Sequence, residues 1–108
     1  MSDIPLLAAR SLDRLGLALS LARRRRNLSQ QDLAERIGTS INTVRRLESG
    51  HPGSALQHLV RALQVFGELD KFDQLFDTAN DSIGLILMDE KLPQRIRKSK
   101  TTAETGAF

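Results

Sequence analysis

The sequence predicts an all-α fold of five short helices, and three observations carry that prediction. Aromatic residues make up only 4% of the chain, as four Phe with no Trp or Tyr, against 40% hydrophobic residues overall. The core must therefore be aliphatic and rich in Leu and Ala, which favours helices over a sheet. Apolar residues recur at spacings of three and four, the stripe of an amphipathic helix. Ser residues open these stretches and Gly residues close them, as helix caps do. A chain of 108 residues holds one small domain plus tails, since domains run to about 100–200 residues.

Residues 1–10 are read as an N-terminal arm. Pro5 suits a first helical turn and Leu6–Ala9 are helix formers, but a loose arm fits as well. Ser11 is placed as the N-cap of the first helix, in which Leu12, Leu15, Leu19 and Ala22 form the buried stripe. Arg23–Arg26 close it, where positive charge suits the C-terminal end of the helix dipole. Asn27 ends it. Ser29 opens the second helix with Asp32 three residues on, a capping box with Asp in place of the usual Glu or Gln. Leu33, Ala34 and Ile37 give its inner face, and Gly38 supplies the left-handed terminal turn. Ser40 caps a third helix from Ile41 to about Ser49, broken by Gly50, Pro52 and Gly53. Ser54 with Gln57 predicts a second capping box and a fourth helix through Leu56, Leu59, Val60, Leu63 and Phe66, stopped by Gly67. Leu69, Phe72, Leu75 and Phe76 mark a short fifth helix.

The domain is thus placed at 11–78, and residues 79–108 form a C-terminal extension with a basic, disordered tail. Ile83–Met88 is a short apolar run whose periodicity fits a buried strand or a helical turn equally.

Several function classes are excluded. The chain has no Cys, which removes disulfide frameworks, thiol chemistry and Cys-ligated zinc. No apolar run approaches the ~18 residues of a membrane span, and the basic-then-apolar pattern of a signal peptide is missing, so a cytoplasmic location is expected. His51 and His58 lack companion ligands, and no nucleophile–base arrangement is present; neither metal, cofactor nor enzymatic activity is expected. Asp70, Asp73 and Asp77 read as a solvated helix face or a contact for a basic partner.

Charge is unevenly spread. Residues 10–50 carry nine basic and four acidic groups, residues 51–92 carry three basic and seven acidic ones, and residues 93–108 carry four basic and one acidic. A basic first half suggests a surface that faces a polyanion.

The second and third helices, joined by a tight Gly-containing turn, have the layout of a helix-turn-helix. At ~100° per residue, Val44 and Leu47 share one face of the third helix. Thr43 and Glu48 flank that face, and Asn42, Arg45 and Arg46 occupy the opposite one, with Ile41 at its margin. An amide that can bond adenine, two guanidiniums that can bond guanine and an aliphatic group for a thymine methyl suit a DNA major groove. Arg and Asn are common on solvated helix faces, so this inventory gains its force from the spacing around it.

That spacing resembles the Xre/Cro-type helix-turn-helix repressors over residues 12–66. The resemblance rests on Arg23, on Leu28-Ser29-Gln30-Gln31-Asp32-Leu33-Ala34, on Ile37-Gly38-Thr39-Ser40 and on Val44-Arg45-Arg46-Leu47-Glu48-Ser49-Gly50. It implies a lambda-repressor-like DNA-binding domain of five helices. It also implies that Thr39, Ser40, Ile41, Asn42 and Arg46, joined by Arg45, line the groove. Gln30, Thr43, Ser49, Gly50 and His51 would meet phosphates. Arg23 and Glu48 would form a partly buried ion pair. The remaining members of the arginine run, Arg24–Arg26, read as phosphate contacts or exposed residues.

The later stretches Ser82-Ile83-Gly84-Leu85 and Leu92-Pro93-Gln94-Arg95-Ile96-Arg97 resemble HipB-like antitoxin regulators. That narrower resemblance implies a homodimer that represses its own operon on palindromic double-stranded DNA and binds a HipA-type kinase toxin. A single module reads too few base pairs for an operator, which also favours a dimer on two half-sites. Phe72, Phe76, Ile83, Leu85 and Leu87 are the candidate dimer or partner surface, with Ile83–Leu87 pairing as a strand between subunits under one of its two readings. A protein-interaction module and a stand-alone repressor are the alternatives.

Overall fold

The computed structural model describes residues 4–77 and 81–87, the side chain of Leu85 excepted. The chain divides into two compact units, Met1–Asp73 and Gln74–Phe108. The first unit holds α1 (Leu6–Arg25), α2 (Gln30–Ile37), α3 (Ile41–Glu48), α4 (Leu56–Phe66) and α5 (Leu69–Asp73); the second holds α6 (Ser82–Ile86). Residues 1–3 of the expected arm, Met88 and the basic tail lie outside the described residues.

α1 begins five residues before the expected cap at Ser11. Pro5 takes the N-cap position with φ −59° and ψ 147°, and its carbonyl accepts from the Ala9 amide at 2.9 Å. Proline fixes a φ compatible with starting a helix, and Leu-Leu-Ala-Ala then propagates it without interruption. Leu6–Arg10 are therefore helical and not a loose arm. At the other end Asn27 adopts φ 56°, a left-handed turn that Asn tolerates better than most residues.

α2 follows the sequence closely. Ser29 Oγ accepts from the Asp32 amide at 2.9 Å and the Asp32 carboxylate accepts from the Ser29 amide at 2.9 Å, closing the capping box. The Ser29 backbone bond, then the Ser29 side-chain bond, hold the Asp32 carboxyl below its ordinary pKa of 3.8. Gly38 ends α2 at φ 77°. α3 starts on Ser40, whose Oγ accepts from the Thr43 amide at 3.2 Å.

α4 departs from expectation at its start. Ala55, not Ser54, is the N-cap, and no side chain caps it. The turn is closed by the Ser54 amide donating to the His51 carbonyl at 3.1 Å, which moves the helix start one residue along. Ser54 Oγ is buried with no hydrogen-bond partner among the described residues. It borders a shallow depression of about 120 Å³ lined by Leu12, Leu15, Leu47, Leu56 and Leu59. The fifth helix is also shorter than its apolar pattern, ending at Asp73 with Gln74–Phe76 in a turn. Ser82–Ile86 is helical, so the inter-subunit strand reading of Ile83–Leu87 is not realised. The Leu87 amide donates back to the Ile83 carbonyl at 3.0 Å, the local bond that a strand would forgo.

In the first unit α2 packs on α3 and α4, α1 packs on α3 and α4, and α5 packs on α4. The core is Leu19, Leu33, Ala34, Ile37, Val44, Leu47, Ala62 and Phe66. Ala34 is fully buried, as expected of a small residue where helices cross closely. Leu15 of the expected α1 stripe stays 37% exposed.

The α1–α3 crossing depends on a residue that the apolar stripe does not reveal. A Cβ on Gly16 would fall on the Glu48 carbonyl oxygen and within 2.8 Å of the Gly50 amide nitrogen. Backbone cannot yield as a flexible side chain can. Gly50 adopts φ 77°, and a Cβ there would meet the Asp13 main chain at 2.9 Å, so the two glycines bring the helices together from both sides. Overpacking of this kind costs about 1–3 kcal/mol. Gly16→Ala is expected to lower the urea midpoint accordingly, although Ala raises helix propensity; an unchanged or higher midpoint would show that the crossing can spread.

Arginines finish the frame. Arg26 donates to the Phe66 carbonyl at 3.0 Å and lies 5.0 Å from the Phe66 ring centroid, so it is a structural residue and not a free phosphate contact. Arg61 donates to the Ile37 carbonyl at 3.0 Å, tying α4 to the end of α2.

Candidate nucleic-acid interface

α3 presents the face its sequence implies. Val44 is fully buried and Leu47 is 6% exposed, while Asn42, Arg45 and Arg46 are exposed and Ile41 and Thr43 half-buried at the margins. The helix has eight residues and so is about 12 Å long, with a diameter of about 10–12 Å. The B-DNA major groove is about 12 Å wide. One insertion of α3 therefore reads about four base pairs, given about 3.4 Å per pair along one strand.

The outward side chains differ in how free they are. Among the described residues no group bonds the Arg46 guanidinium, so its fork is available for a guanine edge. Arg45 Nη1 donates to Asn42 Oδ1 at 3.3 Å. That leaves both Asn42 amide hydrogens and one oxygen lone pair, enough for a bidentate bond to adenine. Ser40 Oγ is engaged by the Thr43 amide and lies 3.1 Å from Thr43 Oγ1. Thr39 is half-buried, and its amide donates to the Ala34 carbonyl at 2.9 Å. Ser40 and Thr39 thus first hold the turn and aim α3.

The segment after α3 is built on α3's own carbonyls. Ser49 Oγ donates to the Arg46 carbonyl at 2.9 Å, and the His51 amide donates to the same carbonyl at 3.0 Å. His51 Nδ1 accepts from the Gly53 amide at 2.9 Å, so Nε2 is the ring nitrogen left for a further bond. Ser49 and His51 are exposed and Gly50 is half-buried.

Behind this face lies the Arg23–Glu48 pair. Arg23 Nε donates to Glu48 Oε2 at 2.7 Å and Nη2 to Oε1 at 3.0 Å. Arg23 Nη1 also donates to the Leu28 carbonyl at 2.8 Å. The side chains are only 10% and 6% exposed. The bidentate geometry is the strong form of such a pair, and it holds the one acidic residue of α3 away from the outward face. Gln30 has a different first partner from the one expected: its Nε2 donates to Glu48 Oε1 at 3.0 Å. One amide hydrogen and its position at the positive end of α2 remain for an anion.

Sequence reasoning missed Gly16, the close approach at Gly50, and the structural roles of Arg26 and Arg61. An isolated Gly inside a leucine-rich helix is a usable signal for close packing. The two arginine–carbonyl bonds leave no local trace.

A helix-turn-helix family model matches residues 19–72, half of the chain. The protein belongs to this helix-turn-helix family. It is a sequence-specific DNA-binding regulator of the Xre and lambda-repressor type, with an all-helical fold. No curated protein and no solved structure matches the chain. Among the described residues no helix is long and apolar enough to cross a membrane.

Proposed function

We propose that the protein is a transcriptional repressor that binds a palindromic operator as a homodimer. In this reading it is the HipB-like antitoxin of a toxin–antitoxin operon, binding a HipA-type kinase toxin. The observation that carries the DNA-binding core of the reading is the α3 face, where Arg46, unengaged among the described residues, stands beside Asn42 and Arg45, and the helix's only carboxylate is turned inward. Thr39, Ser40 and Ile41 border that face. Gln30, Thr43, Ser49, Gly50 and His51 supply phosphate contacts around it. α3 reaches too few base pairs for an operator, and two half-sites about 34–36 Å apart, or a multiple of that, meet the need. The antitoxin assignment rests on the resemblance of Ser82–Leu85 and Leu92–Arg97. The exposed apolar residues Leu75, Phe76, Ile83, Ile86 and Leu87 supply a surface for a second protein.

Duplexes selected from a random pool, followed by a salt titration, test the reading. Specific binding is expected at about 10³-fold or more over random DNA, with log K falling steeply against log salt. Weak, sequence-blind binding would favour an interaction module instead. Absence of a kinase-type gene beside this one, or failure of such a gene's product to co-purify, would leave a stand-alone repressor.

A further inference from the structure

α1 has a second leucine face that the fold of the first unit does not use. At ~100° per residue, Leu6, Leu7, Leu17 and Leu21 fall in one sector about 100° wide, opposite the buried Gly16, Leu19 and Arg23. They are 65%, 74%, 56% and 37% exposed. Arg10, Arg14, Arg24 and Arg25 share the sector, and no acidic residue does. Apolar and basic pairs alternate along a helix about 30 Å long. Lone exposed leucines are ordinary, but four on one face of one helix mark an interaction surface. Membrane-surface helices segregate their charges from their apolar face; here the two are interleaved, which suits a protein partner.

The described stretch of the second unit, residues 74–77 and 81–87, has the complementary character. Its described part exposes Leu75, Phe76, Ile83, Ile86 and Leu87 by 59–82%. Its charged residues there are Asp77 and Asp81, with no Lys or Arg among the described residues. Apolar residues exposed to that degree are better placed against a partner than in water. One apolar–basic and one apolar–acidic surface are therefore both exposed in the single chain.

We propose that the exposed apolar residues Leu75, Phe76, Ile83, Ile86 and Leu87 of one copy dock on the outward face of α1 of a second copy, and reciprocally. The contact is isologous, so it occurs twice across the two-fold axis. Opposite charges at its margins set register and partner choice more than affinity. The inference rests on the homodimer of the proposed function and supplies the counter-surface that Phe76, Ile83 and Leu87 pack against.

Sedimentation of the full-length chain across concentration tests it. The wild type is expected to be a dimer, and Leu17→Glu is expected to raise the dimer dissociation constant by at least about tenfold. Far-UV circular dichroism should be unchanged, because Leu17 is 56% exposed. Arg14→Glu and Asp77→Arg should each weaken self-association, and an equimolar mixture of the two should recover it as a heterodimer. A stable wild-type dimer indifferent to Leu17→Glu and Arg14→Glu would overturn the docking while leaving the homodimer standing. Dimer loss without recovery in the mixture would overturn the pairing of these two surfaces. A monomer at every concentration would overturn both.

Discussion

Glu48→Ala is expected to destabilise the fold by about 3–5 kcal/mol, the cost of leaving a buried charge without its partner. Arg23 would keep the Leu28 carbonyl as an acceptor, but its guanidinium would lose both carboxylate bonds in a position where water hardly reaches it. Domains of this size are stable by only about 5–15 kcal/mol, so much of the protein could unfold at growth temperature. Glu48→Gln keeps one acceptor and should lose less. Replacing both partners by Leu should approach neutrality, since a buried pair competes poorly with well-packed apolar groups. Urea unfolding followed by circular dichroism checks all three. A loss below about 1 kcal/mol for Glu48→Ala would place the pair among surface salt bridges and contradict its role in fixing α3 on α1.

The second large effect falls on recognition and not on stability. Asn42→Ala and Arg46→Ala should each remove about 1–3 kcal/mol of base discrimination, about 5- to 150-fold in cognate affinity, and relax preference at particular operator positions. Both residues are exposed, so their melting curves should barely move. Gln30→Ala should act differently. It should weaken all sequences alike, and it should also loosen the fold slightly, because its amide supports Glu48. Competition binding with cognate and scrambled duplexes separates these patterns. Uniform losses from all three substitutions would undo the division between base and phosphate contacts.

What could be read from the sequence was whatever rests on local rules. The Ser29–Asp32 box, the Ser40 cap, Gly38 and Gly67 at helix ends, and the buried face of Val44 and Leu47 all follow from neighbours a few residues apart. The Arg23–Glu48 pair spans 25 residues and was implied only by the family resemblance. Other features have no local signature. Pro5 began α1 early because nothing between Leu6 and Ser11 opposes a helix. Ser54 lost its cap because the turn before it closed on His51. Gly16 matters only because the end of α3 lies against it. Within the interface, Asn42, Arg45 and Arg46 were legible from their angular position. The prior engagement of Ser40 and Gln30 was not, because it depends on partners set by the fold.

Chemical-shift mapping of the full chain on a duplex selected for tight binding tests the groove-reading role of α3 most directly. The largest perturbations should fall on Asn42, Arg45 and Arg46, with smaller ones at Gln30, Ser49 and His51, and the core around Leu33 and Val44 should stay still. Silence along α3 while another surface responds would contradict the account.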